Sequence, residues 1–192
     1  LNTQLKYERE AAKKRLETVR EEEKKVAETR RAELKDKIGK LRDEKKKQAA
    51  TRLDAQMARL NAQWTDHFNS VLNRLSEILS KIELRADKAE SNGKDVAAVK
   101  TAIQNAKTAI ESARTAVETQ AKKTYTATFA SEKDLGSSFK DARERLKNDI
   151  FGLRDGSIKN ARQAVQSALQ VLKGVPKVNE EPATGTTPVP TQ

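Results

Sequence analysis

The sequence predicts an all-α protein. A very long N-terminal helix folds back into an antiparallel, coiled-coil-like three-helix bundle, and a disordered tail follows. Three observations carry this. Charged residues make up 35% of the 192-residue chain and aromatic residues only 4%, a composition of long helices rather than sheets. All four prolines lie in the last 17 residues, so nothing upstream of Pro176 forces a helix to break. From Leu53 to Ala89 the apolar residues step by three or four without a miss, ten steps over 36 residues, which is the helical period.

Residues 1–52 read as a charged basic helical arm. Between Lys6 and Lys47 there are 17 basic and 11 acidic residues. Acid-before-base pairs such as Glu10→Lys14, Glu21→Lys25, Glu33→Lys37, Asp36→Lys40 and Asp43→Lys47 are spaced to support it, at roughly 0.2–0.5 kcal/mol each. Its large apolar residues form a thin, interrupted stripe. Leu16, Val19, Leu34, Ile38 and Leu41 are the candidates for self-association along that seam. The arm can run without interruption into the next helix, about residues 3–91, roughly 130 Å at 1.5 Å per residue.

The bundle is expected over residues 53–175, with helices at about 53–91, 95–123 and 132–173. The first buries the stripe Leu53, Met57, Leu60, Trp64, Phe68, Val71, Leu75, Ile78 and Ile82, widened by Leu72 and Leu79. Asn92-Gly93 supplies a left-handed cap and Asp95 an N-cap for the second. The second helix carries three tandem heptads that align Ile103, Ile110 and Val117, with alanines on both flanks. That lets two neighbours approach closely, so it belongs in the middle. Thr124 to Ala130 alternates small and aromatic residues and reads as an extended connection, and Ser131 with Asp134 as a capping box. Gly152 and Gly156 weaken the third helix; one continuous helix is expected, with a kink or break near Gly156 as the alternative. Residues 176–192 read as a Thr/Pro-rich disordered tail.

No motif for catalysis emerges. The one histidine, His67, sits between Asp66 and Ser70, but helical neighbours point about 100° apart, which disfavours a relay. Glu83, Asp87 and Glu90 share a face yet match no calcium loop, and reads as a solvated acidic face. There is no cysteine and no phosphate-cradling glycine loop. The expectation is therefore no enzyme, no cofactor and no metal. Trp64 and Phe68, at helical spacing in an aliphatic stripe, read as core.

With 39 Lys and Arg against 28 Asp and Glu, the chain has a net charge of +11. Candidate polyanion contacts are Lys13, Lys14, Arg15, Lys24, Lys25, Arg30, Arg31, Lys45, Lys46 and Lys47. Interleaved acids favour a solvated face instead.

Leu41-Arg-Asp-Glu-Lys-Lys-Lys47 running into Arg52-Leu-Asp54, the stretch from Ala102 to Tyr125, and Ala161-Arg-Gln-Ala-Val165 resemble uncharacterised secreted helical proteins of candidate-phyla-radiation bacteria. The resemblance covers about residues 10–173. It implies export to the envelope or beyond, with a signal peptide removed before the charged helix, and it brings no catalytic residues.

The expected function is a non-enzymatic structural or interaction protein, an extracytoplasmic stalk or assembly module with a protein partner or a second copy. The alternatives are a polyanion-binding module (nucleic acid, anionic lipid or envelope polymer) using the basic arm, and a holdase-like chaperone. A cytoplasmic location stays open. No small-molecule substrate is expected, and no run of apolar residues is long enough to span a membrane.

Overall fold

The computed structural model describes residues 2–176; all of the tail but Pro176 lies outside the described residues. The described chain is a helical bundle. Its helices are α1 (Asn2–Gly39), α2 (Glu44–Ser91), α3 (Ala97–Ala121), α4 (Leu135–Leu153) and α5 (Lys159–Lys173). A single 3-10 turn, Glu132–Asp134, precedes α4, and a π turn, Arg154–Ile158, joins α4 to α5.

The expected three-helix bundle is present as α2, α3 and the α4–α5 rod, which touch one another along their lengths. The long first helix is not straight. It ends at Gly39, and Asp43 starts a new helix by accepting hydrogen bonds from the backbone N–H groups of Lys45 (2.8 Å) and Lys46 (3.3 Å). Asp43 thus caps α2, the role of a short acid at a helix start, rather than pairing with Lys47. Leu41 is buried in the turn and anchors it. The arm therefore does not project. α1 doubles back and lies against α2 and α3, without touching α4 or α5.

The core stripe of α2 is rotated from the one the periodicity predicts. Met57, Phe68, Leu72, Leu75, Leu79 and Ile82 are buried, while Leu53, Trp64 and Ile78 are 36–43% exposed. α2 has neighbours on three sides, so its buried arc also takes in Asn61 and Thr65, and the opposite edge of the apolar stripe is left at the surface.

α3 sits in the middle, against α1, α2, α4 and α5. Ile103, Ala106, Ile110, Ala113 and Val117 are buried, and the second alanine row is half-buried, as close approach on two flanks requires. Gly93 adopts φ +75°, a left-handed position that favours glycine, and reverses the chain between α2 and α3. Asp95 accepts from the backbone of Ala97 at 3.0 Å. Between α3 and α4 the chain is extended, and its period of two buries Tyr125, Ala127 and Phe129. The expected capping box does not form: Ser131 makes no side-chain bond to a backbone N–H, and its hydroxyl instead donates to the Asp134 carboxylate at 2.7 Å.

The last helix neither breaks nor ends at Gly156. Its buried residues step by three or four through Leu135, Phe139, Ala142, Leu146, Ile150 and Leu153; the next is Ile158, a step of five. The π turn absorbs the additional residue, so both halves keep their apolar face on the bundle.

Candidate interaction surfaces

The seam beneath α1 is built from ions and amides more than from apolar residues. Four arginines of α1 reach across it. Arg9 pairs with Glu77. Arg15 lies near Glu118 (3.8 Å) and Glu111 (3.9 Å) of α3. Arg20 pairs with Asp66 at 3.0 Å and donates to the Thr65 hydroxyl (2.6 Å) and the Ala62 carbonyl (3.1 Å). Arg31 approaches Asp54 at 3.6 Å. The apolar contacts come in two clusters, Ala12 with Leu16, and Leu34 with Ile38 and Leu41.

Between these clusters α1 stands off the bundle. A cavity of about 170 Å3 lies there, lined by Ala27, Arg31, Asp54, Ala58 and the end of α3. The Nε of Arg31 is buried in this region with no hydrogen-bond acceptor. Burial raises the Asp54 carboxyl above its ordinary value, and the Arg31 charge only partly opposes this.

Four of the five proposed self-association residues are therefore already in use. Leu16, Leu34, Ile38 and Leu41 are buried within the chain, and Val19 is half-buried. They offer no seam to another chain while α1 is docked.

The ten proposed polyanion contacts divide in three. Arg15, Arg31 and Lys46 hold other elements, the last through Glu132 at 2.7 Å. Lys13, Lys24 and Lys47 pair within their own helices with Glu17, Glu21 and Glu44. Lys14, Lys25, Arg30 and Lys45 are exposed and enter no ion pair among the described residues. Of the acid-before-base pairs named for the arm, Asp36→Lys40 forms, at 2.6 Å; the arginines instead find acids on neighbouring helices.

The interior under α1 also holds Arg114, which is 5% exposed. It donates to Asn69 (3.1 Å) and Ser76 (3.3 Å) and lies 3.5 Å from Glu111. Burial lowers its pKa and Glu111 opposes that shift; an arginine keeps its charge regardless.

A second polar group locks the point where α3 gives way to the extended segment. Asn61 donates to the carbonyls of Gln120 and Lys123, both at 3.1 Å, satisfying acceptors that a helix end leaves unpaired. The Gln120 amide donates to Asn61 (2.9 Å) and to the Tyr125 hydroxyl (2.7 Å). Tyr125 in turn donates to Asp149 at 2.6 Å, and Lys123 pairs with the same carboxylate at 3.0 Å. Burial, and then the hydrogen bond to Asp149, push the Tyr125 phenol well above its ordinary value. Burial would raise Asp149 as well, but hydrogen bonds from Tyr125 and Lys123 outweigh it and hold the carboxyl low.

The pH dependence follows from these two directions. The Asp149 contribution is complete above its ordinary pKa of 3.8 and is lost as pH falls through the lower folded value. The Tyr125 contribution is complete below the ordinary 10.0 and is lost as pH rises through the higher folded value. Tyr125→Phe should cost about 1 kcal/mol at neutral pH and flatten both limbs of a plot of urea midpoint against pH. An unchanged acid limb would show that Asp149 draws its shift from elsewhere.

The residues weighed for chemistry are dispersed. Asp66 pairs with Arg20, Ser70 donates to the Asp66 backbone carbonyl, and His67 packs its ring 5.8 Å from those of Trp64 and Phe68. Glu83 and Glu90 pair with Lys107 (2.6 Å) and Lys100 (2.5 Å) of α3. Among the described residues no group of acids and histidines is placed to hold a metal ion, and no helix is long and apolar enough to cross a membrane. No family model matches the chain, and no curated protein and no solved structure is significantly similar to it.

Proposed function

We propose that the chain is a non-enzymatic structural or interaction protein of the extracytoplasmic space, an assembly module whose exchangeable part is α1. The observation behind this reading is the way α1 is held. It touches only α2 and α3, adds Leu16, Leu34 and Ile38 to the edge of the core those helices share, and is tied by a turn of four residues, Lys40 to Asp43. Its contacts are fixed largely by arginine ion pairs, which weaken as salt rises. The same contacts form equally well when α1 of one copy lies on the bundle of another. Exchange of an identical element is a low-cost route to a dimer. A straightened turn would also restore the unbroken first helix that the periodicity favours. The extracytoplasmic place is supported by the resemblance to secreted helical proteins.

The chain has no cysteine, which makes the test direct. Ala27 and Ala58 line the same cavity from α1 and α2. Ala27→Cys with Ala58→Cys, treated with a short thiol cross-linker at high protein concentration, should give covalent dimers alongside closed monomers. Intrachain links alone, with a strict monomer by light scattering, would rule out assembly by exchange. Fractionation of the producing cells tests the location, and recovery with the cytosol would reject it.

A further inference from the structure

The charges of α2 divide by partner. Between Arg52 and Arg85 the helix carries four acids, Asp54, Asp66, Glu77 and Glu83. Every one is turned to another helix: Asp54 to Arg31, Asp66 to Arg20, Glu77 to Arg9 and Glu83 to Lys107. The same stretch carries five cations, Arg52, Arg59, Arg74, Lys81 and Arg85, all exposed. None of the five enters an ion pair among the described residues. Periods of seven and eleven place them on the outward arc of the helix. That arc is about 50 Å long at 1.5 Å per residue.

The apolar stripe that the core does not use runs along the edge of this arc. Leu53, Trp64 and Ile78 are 39%, 36% and 43% exposed, and Leu60 and Val71 between them are half-buried. The helix thus presents five cations without ion-pair partners beside exposed large apolar groups, while the two acids nearest them, Asp66 and Glu77, are paired with Arg20 and Arg9.

From this we infer that the outer face of α2 docks on an anionic lipid surface. The cations meet headgroup phosphates, and Leu53, Trp64 and Ile78 enter the interface between headgroups and acyl chains. Long Arg and Lys side chains reach the phosphates while their stems stay against apolar surface. The aliphatic members of the stripe separate this partner from nucleic acid. Bases stack on aromatic rings, and Leu53 and Ile78 offer none. The inference does not depend on exchange of α1, which lies on a different side of α2.

Trp64 is the only tryptophan and sits within the stripe, so it reports directly. The full chain is titrated with vesicles of phosphatidylcholine alone and of phosphatidylcholine with about one third phosphatidylglycerol, at about 0.1 M salt. Binding is expected to the anionic vesicles only, with a blue shift of Trp64 emission. Changing Arg52, Arg59, Arg74, Lys81 and Arg85 to glutamine should weaken it by roughly a thousandfold or more. A control changes five unpaired cations of α1, Lys6, Lys14, Lys25, Lys35 and Lys37, to glutamine. It removes the same charge and should weaken binding far less. Helicity by circular dichroism checks both variants, and Arg74→Gln with Lys81→Gln gives a milder version of the first. Equal losses in both five-site variants would overturn the proposal, since net charge alone would then explain binding. So would absence of binding, an unshifted Trp64 spectrum, or tighter binding to duplex DNA than to the anionic vesicles.

Discussion

Phe68→Ala is expected to destabilise the bundle by about 3–5 kcal/mol, the range for removing a fully buried aromatic ring. Phe68 is 1% exposed and belongs to the core cluster shared by the helices. Its neighbour Trp64 has a larger ring, at 5.6 Å between centroids, but is 36% exposed. Trp64→Ala should therefore cost far less, against the order that side-chain size suggests. Urea melts of the two variants decide it. If Trp64→Ala is the more damaging, the stripe of α2 faces inward as the periodicity alone predicts, and the docking face inferred above disappears with it.

The second large effect is expected from a polar residue. Asn61→Leu keeps the volume of the site roughly constant and removes every hydrogen bond that the amide makes. It leaves the carbonyls of Gln120 and Lys123 and the amide of Gln120 without their partner in a buried setting. At about 1–3 kcal/mol for each unsatisfied group, with some relaxation, the loss should reach about 2–4 kcal/mol. Hydrogen exchange should place the damage at the C-terminal end of α3 and in the segment after it. A variant as stable as the wild type would mean that water takes over these bonds.

The two cases show which parts of the molecule are legible in the sequence. The fold class and the central place of α3 follow from spacing, because an apolar period maps directly onto a helix face. The cap at Gly93 and the extended run from Thr124 follow from local chemistry. What spacing does not give is the choice among possible neighbours. Asn61, Thr65, Arg114 and Gln120 are polar residue types that usually face solvent, yet all four are buried. They are interior because each meets a matching group from a distant part of the chain, and such matches carry no local pattern.

The docked position of the arm is hidden from the sequence for the same reason. Its arginines have acids of their own helix at suitable spacing, and only the folded bundle brings Glu77, Asp66 and Asp54 within better reach. The turn did leave a trace, Gly39 followed by Asp43, a helix end and then a capping acid. So did the π turn, as the step of five from Leu153 to Ile158, hidden when Ile158 is left out of the stripe.

That step of five bears on how the chain can change length. Most helical bundles absorb a one-residue insertion or deletion poorly anywhere, since the residues beyond it turn by about 100°. Here the chain already holds one residue more than an α-helix needs, stored in a single turn. Losing any residue from Arg154 to Ser157 would let that turn relax to ordinary α-helix with Ala161, Val165, Ala168 and Leu172 still facing inward. The π turn is the one place in this rod where the reading of the helix can be shortened without being lost.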